Sequence, residues 1–170
     1  MKTPHFNIRE ANSQDAERLH QLHTASVRAL CSGHYPAEII DGWLSNRRPE
    51  GYLPGIERGD IFVVERDSKV VGFGEAAPGK IIAVYVDPIA GRLGVGSAIM
   101  RRALEKARRG WQGPIHLEST LNAESFYERF GFRVVQRTTV QRNTVAVPVV
   151  VMELDCIQPM ASTAKAEQGK

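Results

Sequence analysis

Hydrophobic residues recur along the chain with the period of a strand in some segments and with the period of a helix in others. These segments predict the strands and helices of the protein. Apolar and polar residues alternate over 6–8, which predicts a short first strand. Polar residues 12–13 then offer a helix cap, and apolar residues recur at helical spacing over 16–30. A second short helix is predicted over 36–44, followed by a long loop over 49–59, where prolines and glycines cluster.

From residue 61 the pattern becomes that of strands. Extended segments are predicted over 61–65, 70–76 and 81–86, with turns at Asp67-Ser68 and Pro78-Gly79. Three successive strands with short connections most simply form an antiparallel meander. The third segment reads IIAVYV, without alternation, so we expect a central strand that is covered on both faces.

The second half of the chain mixes strands and helices. A glycine-rich turn over 91–96 follows the third strand of the meander. The later predicted elements are a helix that stops near Gly110, a strand over 114–119, a helix over 122–130 and two closing strands over 132–139 and 145–154. The closing strands contain the run VAVPVVVMEL, whose edge could pair with a second copy in a homodimer, although Pro148 would restrict the pairing.

Length and composition indicate one ordinary globular domain. The chain has 170 residues, 42% of them hydrophobic and 24% charged, and we expect a domain over 1–157 and a disordered tail over 158–170. Two cysteines exclude a disulfide framework and a four-thiolate zinc site. The start lacks the apolar core of a signal peptide, and no apolar run reaches about 18 residues. We therefore expect a cytoplasmic protein in a reducing compartment, with no membrane partner.

Charge narrows the expected ligands. The chain carries 22 Lys and Arg against 19 Asp and Glu, a net charge of +3, which is far from the clustered charge of a nucleic-acid binder. Small anionic ligands suit this balance better. His20 and His23 have a spacing that permits metal binding, but no third ligand is near in sequence. We expect surface or packing roles for both histidines and no metal site.

Segment 84–100, VYVDPIAGRLGVGSAIM, is the most informative part of the chain. Its glycines Gly91, Gly94 and Gly96 lie where a buried strand turns into a helix. The first amides of a helix have no partner within it, and the helix dipole favours an anion there, so a diphosphate ligand is indicated. The third glycine of the dinucleotide fingerprint is missing, and no nucleotide-binding G-x-x-x-x-G-K-S/T loop is present. The alternative is a turn that uses glycines only for positive φ.

This loop resembles the acyl-CoA loop of the GNAT superfamily of N-acetyltransferases, Q/R-x-x-G-x-G/A. Gly94 and Gly96 match its two glycines, whereas Gly91 stands where the family usually has Gln or Arg, and Arg92 is displaced by one place. A second segment, 117–132, is similar to the family's N-A-x-x-F-Y-x-x-x-G-F. Its matching residues are Asn122, Ala123, Phe126, Tyr127, Gly131 and Phe132. The resemblance extends from Phe6 to about Leu154.

The resemblance implies a GNAT-like α/β fold, with a mixed, mostly antiparallel sheet of about six to seven strands flanked by helices. It implies transfer of the acetyl group of acetyl-CoA to a primary amine of a small molecule or peptide by direct attack, without a metal. The pantetheine arm would lie between strands 81–86 and 115–119. The residues expected to bind the cofactor are Val84, Tyr85, Val86, Gly91, Arg92, Leu93, Gly94, Val95, Gly96, Ser97, Asn122 and Tyr127.

Catalysis of this reaction needs an acid and a base. By resemblance Tyr127 faces the thioester sulfur, and with an ordinary pKa near 10 it can protonate the departing thiolate, unless it is only a packed helix aromatic. Glu75 or Glu118 could accept the amine's proton. The alternatives are an exposed strand-end charge for Glu75 and a helix-capping or arginine-paired carboxylate for Glu118. His116 shares the Glu118 face and is a weaker candidate.

The sequence says least about the substrate that would accept the acetyl group. His34, Tyr35, Trp43 and Tyr52 lie where the family forms its acceptor pocket, and Glu75 is expected to contact the substrate, although core packing explains Trp43 equally well. The segment 47–59 has no pattern that identifies an acceptor. A second class of function remains open: a catalytically weak acyl-CoA-binding or protein-interaction module on the same fold.

Overall fold

The computed structural model describes residues 5–156. Seven strands form one sheet: β1 (Asn7–Glu10), β2 (Ile61–Arg66), β3 (Lys69–Ala77), β4 (Lys80–Val86), β5 (Ile115–Ser119), β6 (Arg133–Arg142) and β7 (Val145–Leu154). The α-helices are α1 (Ala16–Leu30), α2 (Ala37–Leu44), α3 (Leu53–Glu57), α4 (Val95–Arg108) and α5 (Glu124–Glu128). Short 3-10 helices cover Ser13–Asp15, Pro49–Tyr52 and Pro88–Ala90. The predicted mixed α/β architecture is confirmed.

The strand order is β1-β2-β3-β4-β5-β7-β6, with β4 in the middle. Every neighbouring pair is antiparallel except β4 and β5, which are parallel. The predicted meander is therefore the run β2-β3-β4, and the predicted central place of the third extended segment is also confirmed.

The two parallel strands touch at one point and then diverge. Lys80 and His116 form the single bridge between β4 and β5, whereas β3 and β4 pair along their whole length. A wedge opens between the central strands beyond this bridge. The expectation that both faces of β4 are covered is wrong, because Ile82 is 44% exposed where the wedge opens.

Both faces of the sheet are covered at β2. On β2, Phe62 and Val64 belong to the core that contains α4, while Ile61 and Val63 pack with α1 on the other face. Alternating side chains of a strand point to opposite faces, so two cores meet across one strand. At Gly74 of β3 an added Cβ would lie 2.7 Å from Ile99 Cγ2, so glycine permits the close approach of α4.

Several expected elements differ in the structure. The predicted loop 49–59 contains Pro49–Tyr52 and α3, since a proline fits the first turn of each helix. The helix expected over 122–130 is confined to α5, a single short helix. The run VAVPVVVMEL is β7, which pairs with β6 over residues 145–153 and with β5 over residues 150–154, so it is not the edge strand of the sheet. Pairing with a second copy stays a prediction.

Two further expectations concern the limits of the chain. The tail 158–170 lies outside the described residues. Across residues 5–156, no helix combines the length and hydropathy that a membrane span requires.

Candidate active site

The wedge between β4 and β5 leads into two adjoining cavities of about 100 and 320 Å³. The smaller one, which we call the inner cavity, lies between α1, β4, β5 and α5; the larger, outer cavity extends toward α2 and β3. Both are lined by Ile81, Ile82, Ala83, Tyr85 and Glu118. The two cavities therefore form one continuous site around the middle strand.

Tyr127 and Asn122 line the inner cavity. The Tyr127 ring packs edge-on against Phe126 and Phe132, and burial alone raises the pKa of its hydroxyl. Asn122 Oδ1 accepts a hydrogen bond from Cys31 Sγ at 3.4 Å, and burial raises the pKa of that thiol to about 11. The structure therefore brings together two residues of the second motif and adds Cys31, which sequence reasoning did not select.

Helix α4 begins at the glycine-rich loop with its first amides unused. Gly94 is its N-cap residue, with φ = +82°, and no side chain caps the helix. The first intrahelical bond runs from Ala98 N to Gly94 O at 3.0 Å, so the amides of Val95, Gly96 and Ser97 precede it. These donors fit a diphosphate.

The loop itself differs from a run of flexible glycines. Gly91 has an ordinary φ of −58°, whereas Arg92 adopts φ = +65°, which is unusual for a residue with a side chain. A Cβ at Gly96 would lie 3.3 Å from the Phe126 ring, so its place is limited by packing against the α5 segment. Positive φ therefore accounts for Gly94 but not for Gly91 or Gly96.

Glu75 lies on the wall of the outer cavity near the end of β3. Its side chain is 18% exposed, so the alternative of an exposed strand-end charge is wrong. Burial, and next the nearby Asp60, raise the pKa of Glu75, and Arg58, 3.8 Å away, opposes the rise. A carboxylate with a raised pKa and access to a cavity is suited to accept a proton.

Glu118 lines both cavities, but its Oε2 accepts a hydrogen bond from Arg142 Nη2 at 2.6 Å. The arginine-paired alternative therefore describes its contacts. His116 lines neither cavity, and its Nδ1 lies 3.5 Å from Glu153 Oε2. Glu75 thus has a place in the cavity and a raised pKa, whereas Glu118 is paired with Arg142 and His116 lies outside both cavities.

Of the other residues predicted to form the acceptor-substrate pocket, some line the cavities and some do not. Trp43 and Tyr52 line the outer cavity, whereas His34 is exposed in the turn after α1. Tyr35 packs in a separate apolar cluster with Ile40 of α2 and Val149 of β7, and its hydroxyl donates to Pro148 O at 2.7 Å and accepts from Leu121 N at 2.9 Å. Neither Tyr35 nor His34 lines the two joined cavities.

His23 and Arg47 line the outer cavity, although neither was predicted to contact a ligand. Arg47 Nη2 donates to His23 Nδ1 at 2.9 Å and to the Tyr52 hydroxyl at 3.1 Å, and the His23 ring stacks on Tyr85 at 3.9 Å. His23 is therefore packed against Tyr85, as expected, and it also accepts a hydrogen bond from Arg47. A signal was present in the sequence, because His23 interrupts the buried stripe of Leu19 and Val27 at helical spacing.

The site thus has the parts of a group-transfer enzyme. It offers an anion-binding helix terminus, a buried phenol in the inner cavity and a carboxylate of raised pKa in the outer cavity. No group of three or more His, Cys, Asp or Glu residues within 5–156 could hold a metal ion.

Comparison with known proteins identifies the class. The family profile described as "Acetyltransferase (GNAT) domain" matches residues 57–134, which include β2 to β5, α4 and α5. The chain is also 23% identical over 136 residues to YafP of Escherichia coli K12, described as an uncharacterized N-acetyltransferase; the match covers 80% of this chain and 87% of YafP.

Solved structures share the fold. A GCN5-related N-acetyltransferase from Rhodopseudomonas palustris has a TM-score of 0.80 at 23% identity and covers 91% of this chain and 97% of its own. PaiA N-acetyltransferase from Thermoplasma acidophilum, solved with coenzyme A, has a TM-score of 0.71 at 21% identity, covering 89% and 99%. YncA from Salmonella typhimurium, solved with acetyl-CoA, has a TM-score of 0.67 at 19% identity, covering 94% and 99%.

Residues 57–134 match a GNAT acetyltransferase domain, and the N-acetyltransferase relative YafP supports the same family. The resemblance drawn from the glycine loop and the N-A-x-x-F-Y segment is thereby confirmed, and so is the GNAT-like sheet. The roles of the individual site residues stay predictions.

Proposed function

We propose that this acetyltransferase transfers the acetyl group of acetyl-CoA to a primary amine of a small molecule or peptide by direct attack. One observation carries the proposal: the wedge between β4 and β5 joins a cavity lined by Tyr127 to a cavity lined by Glu75. A donor and an acceptor that enter from the two sides would meet at the middle strand. The wedge itself arises because β4 and β5 share a single bridge.

The N-terminus of α4 is the proposed site for the diphosphate of the donor. The amides of Val95, Gly96 and Ser97 have no intrahelical acceptor, and the helix dipole favours negative charge at this end. The diverging edges of β4 and β5, with Asn122 beyond them, would hold the pantetheine arm. When bound, acetyl-CoA supplies the activated acetyl group. The complexes of PaiA with coenzyme A and of YncA with acetyl-CoA support this assignment.

Glu75 is the proposed proton acceptor. An amine is mostly protonated at neutral pH, so it must lose a proton before it attacks, and Glu75 takes that proton directly or through water. The raised pKa of Glu75 brings its basicity closer to neutral pH, which favours this role. Glu118 is less suited, because its carboxylate is held by Arg142.

Tyr127 is the proposed proton donor. Its raised pKa keeps the hydroxyl protonated at neutral pH, and its place in the inner cavity, near Asn122, allows it to protonate the departing sulfur. The hydroxyl can bond more strongly as negative charge develops on that sulfur, which is the condition for a contribution to rate.

Thiol release tests the proposal. The protein is mixed with acetyl-CoA, a thiol reagent and a panel of primary amines, and calorimetric titration measures acetyl-CoA binding separately. Amine-dependent release of coenzyme A is the expected result. Tight binding without release from any amine would contradict the proposal and favour the acyl-CoA-binding module.

A further inference from the structure

The outer cavity contains an arginine whose charge is not neutralised by a carboxylate. Arg47 Nη2 donates only to His23 Nδ1 and the Tyr52 hydroxyl, both uncharged acceptors, and its Nε is buried without a hydrogen-bond partner. Among residues 5–156, no carboxylate oxygen lies within 4.0 Å of this guanidinium. Arg47 is half-buried and Glu75 acts on it only from a distance beyond 4.0 Å, so the guanidinium is suited to an anion that arrives with a ligand.

His23 adds a second unused donor to the same wall. Its side chain is 5% exposed, and an arginine can only donate, so Nδ1 must be the acceptor and Nε2 carries the proton of the neutral ring. That Nε2 is also buried without a partner. Burial, and next the charge of Arg47, hold the pKa of His23 well below its usual range, which agrees with the neutral form.

The charges that line the outer cavity favour a ligand with both signs of charge. Arg142 and Glu118 neutralise each other at 2.6 Å, which leaves Arg47 and Lys80 against the single carboxylate of Glu75. A polyamine would bring several positive charges into a site that already has an excess of one. A molecule with one ammonium and one carboxylate would instead complement Glu75 and Arg47 together.

We infer that the acceptor is a small amino-carboxylate, such as an α-amino acid, whose carboxylate is bound by Arg47 and His23 Nε2 while its amine lies toward Glu75. This inference rests on the proposed function and names its substrate class. A guanidinium offers paired N–H donors that match a carboxylate, and His23 holds Arg47 Nη2 in place from the other side. The cavity of about 320 Å³ is at the lower end of the usual range for small-molecule sites, which suits a ligand of this size.

Matched pairs of acceptors test the inference. The twenty common amino acids are each compared with the α-carboxamide, which keeps the amine and loses the carboxylate charge, and spermidine serves as a polycation. For the best acid we expect kcat/KM to exceed that of its carboxamide by about 10- to 100-fold, since a hydrogen bond to a charged group is among the stronger ones. Equal rates for acid and carboxamide, or spermidine as the best acceptor, would overturn the inference.

The variant Arg47→Gln locates the preference. We expect it to raise KM for the acid much more than KM for the carboxamide, which has no carboxylate charge to lose, so that the preference falls to within about 3-fold. Arg48→Gln is the matched control, because Arg48 is the exposed neighbour and should keep the preference. If thermal melts show that Arg47→Gln does not fold, Arg47→Lys retains the charge without the Nε donor and should lose part of the preference. An undiminished preference in the folded variant contradicts the role of Arg47.

Calorimetry separates this inference from the proposed function. Acids and carboxamides are titrated into the protein in the presence of coenzyme A, without turnover. If no amine releases thiol but acids bind more tightly than carboxamides, the proposed function fails and the ligand is not an acceptor, while the carboxylate-binding role of Arg47 and His23 stands. If thiol is released yet acids and carboxamides bind alike, the inference fails and the proposed function stands. If neither release nor preferential binding is seen, both fail.

Discussion

Tyr127→Phe removes a single oxygen from the inner cavity. The ring keeps its packing against Phe126 and Phe132, whose centroids lie 5.2 and 6.2 Å from its own. Burial is the one cause of the raised pKa of Tyr127, so no hydrogen bond from a described residue holds its hydroxyl. The change is therefore close to a deletion of chemistry without a deletion of structure.

The expected effect of Tyr127→Phe on the free energy of unfolding is smaller than its expected effect on the activation free energy. A hydroxyl without a protein partner contributes little to stability, so the free energy of unfolding should change by less than about 1 kcal/mol. General acid catalysis typically contributes about 10²- to 10⁴-fold, or about 2.7–5.5 kcal/mol of activation free energy. We expect kcat to fall within that range while acetyl-CoA affinity and melting temperature change little.

The assay is single-turnover acetyl transfer measured by rapid quench, beside steady-state thiol release and a denaturant melt. Single turnover is needed because slow product release would conceal a change in the chemical step. If Tyr127 only packs against its aromatic neighbours and solvent protonates the thiolate, the variant should keep nearly parental turnover. A loss smaller than about 3-fold in the chemical step would refute the assignment.

Two of the three other predictions have a matched control variant. Glu75→Gln should lower kcat by about 10²- to 10⁴-fold and abolish the acidic limb of the pH profile. In the parent that limb should lie above the ordinary carboxyl pKa of 4.5, because the folded pKa of Glu75 is raised and the ionised form is the active one. Glu105→Gln, the control, should keep the parental profile. Gly74→Ala should destabilise the fold by about 1–3 kcal/mol in denaturant melts, because its Cβ would overlap the core, whereas Gly51→Ala, with no heavy atom within 4 Å of its Cβ, should be nearly neutral. Hydrogen bonds from Arg9 of β1 lower the pKa of Asp15. The contribution of Asp15 to the free energy of unfolding is therefore present above the unfolded pKa of 3.8 and is lost as pH falls through the folded pKa. Denaturant melts should show Asp15→Asn less stable than the parent at pH 7, with the difference narrowing toward pH 2.

Local sequence was sufficient for most of the strands and helices, for the glycine-rich turn and for the segment around Tyr127. The meander over 61–86, the α4 helix after Gly94 and the segment around Tyr127 all have patterns that act over a few residues. These are extended apolar segments between turns, a glycine-rich turn and a short motif. Such patterns reflect backbone preferences and the burial of one face, which a chain expresses almost independently of its distant parts. Family resemblance then placed these segments relative to one another.

The outer cavity and the contacts between its residues could be described only from the tertiary structure. The wedge exists because β4 and β5 separate after one bridge, and the order of β5, β7 and β6 placed Arg142 against Glu118. His23 was expected in packing, and Arg47 had no pattern at all, yet the fold puts them in contact across 24 residues of sequence. Partners, burial and pKa depend on which distant segments meet in space, and periodicity along one segment carries no information about the segment that will lie opposite it.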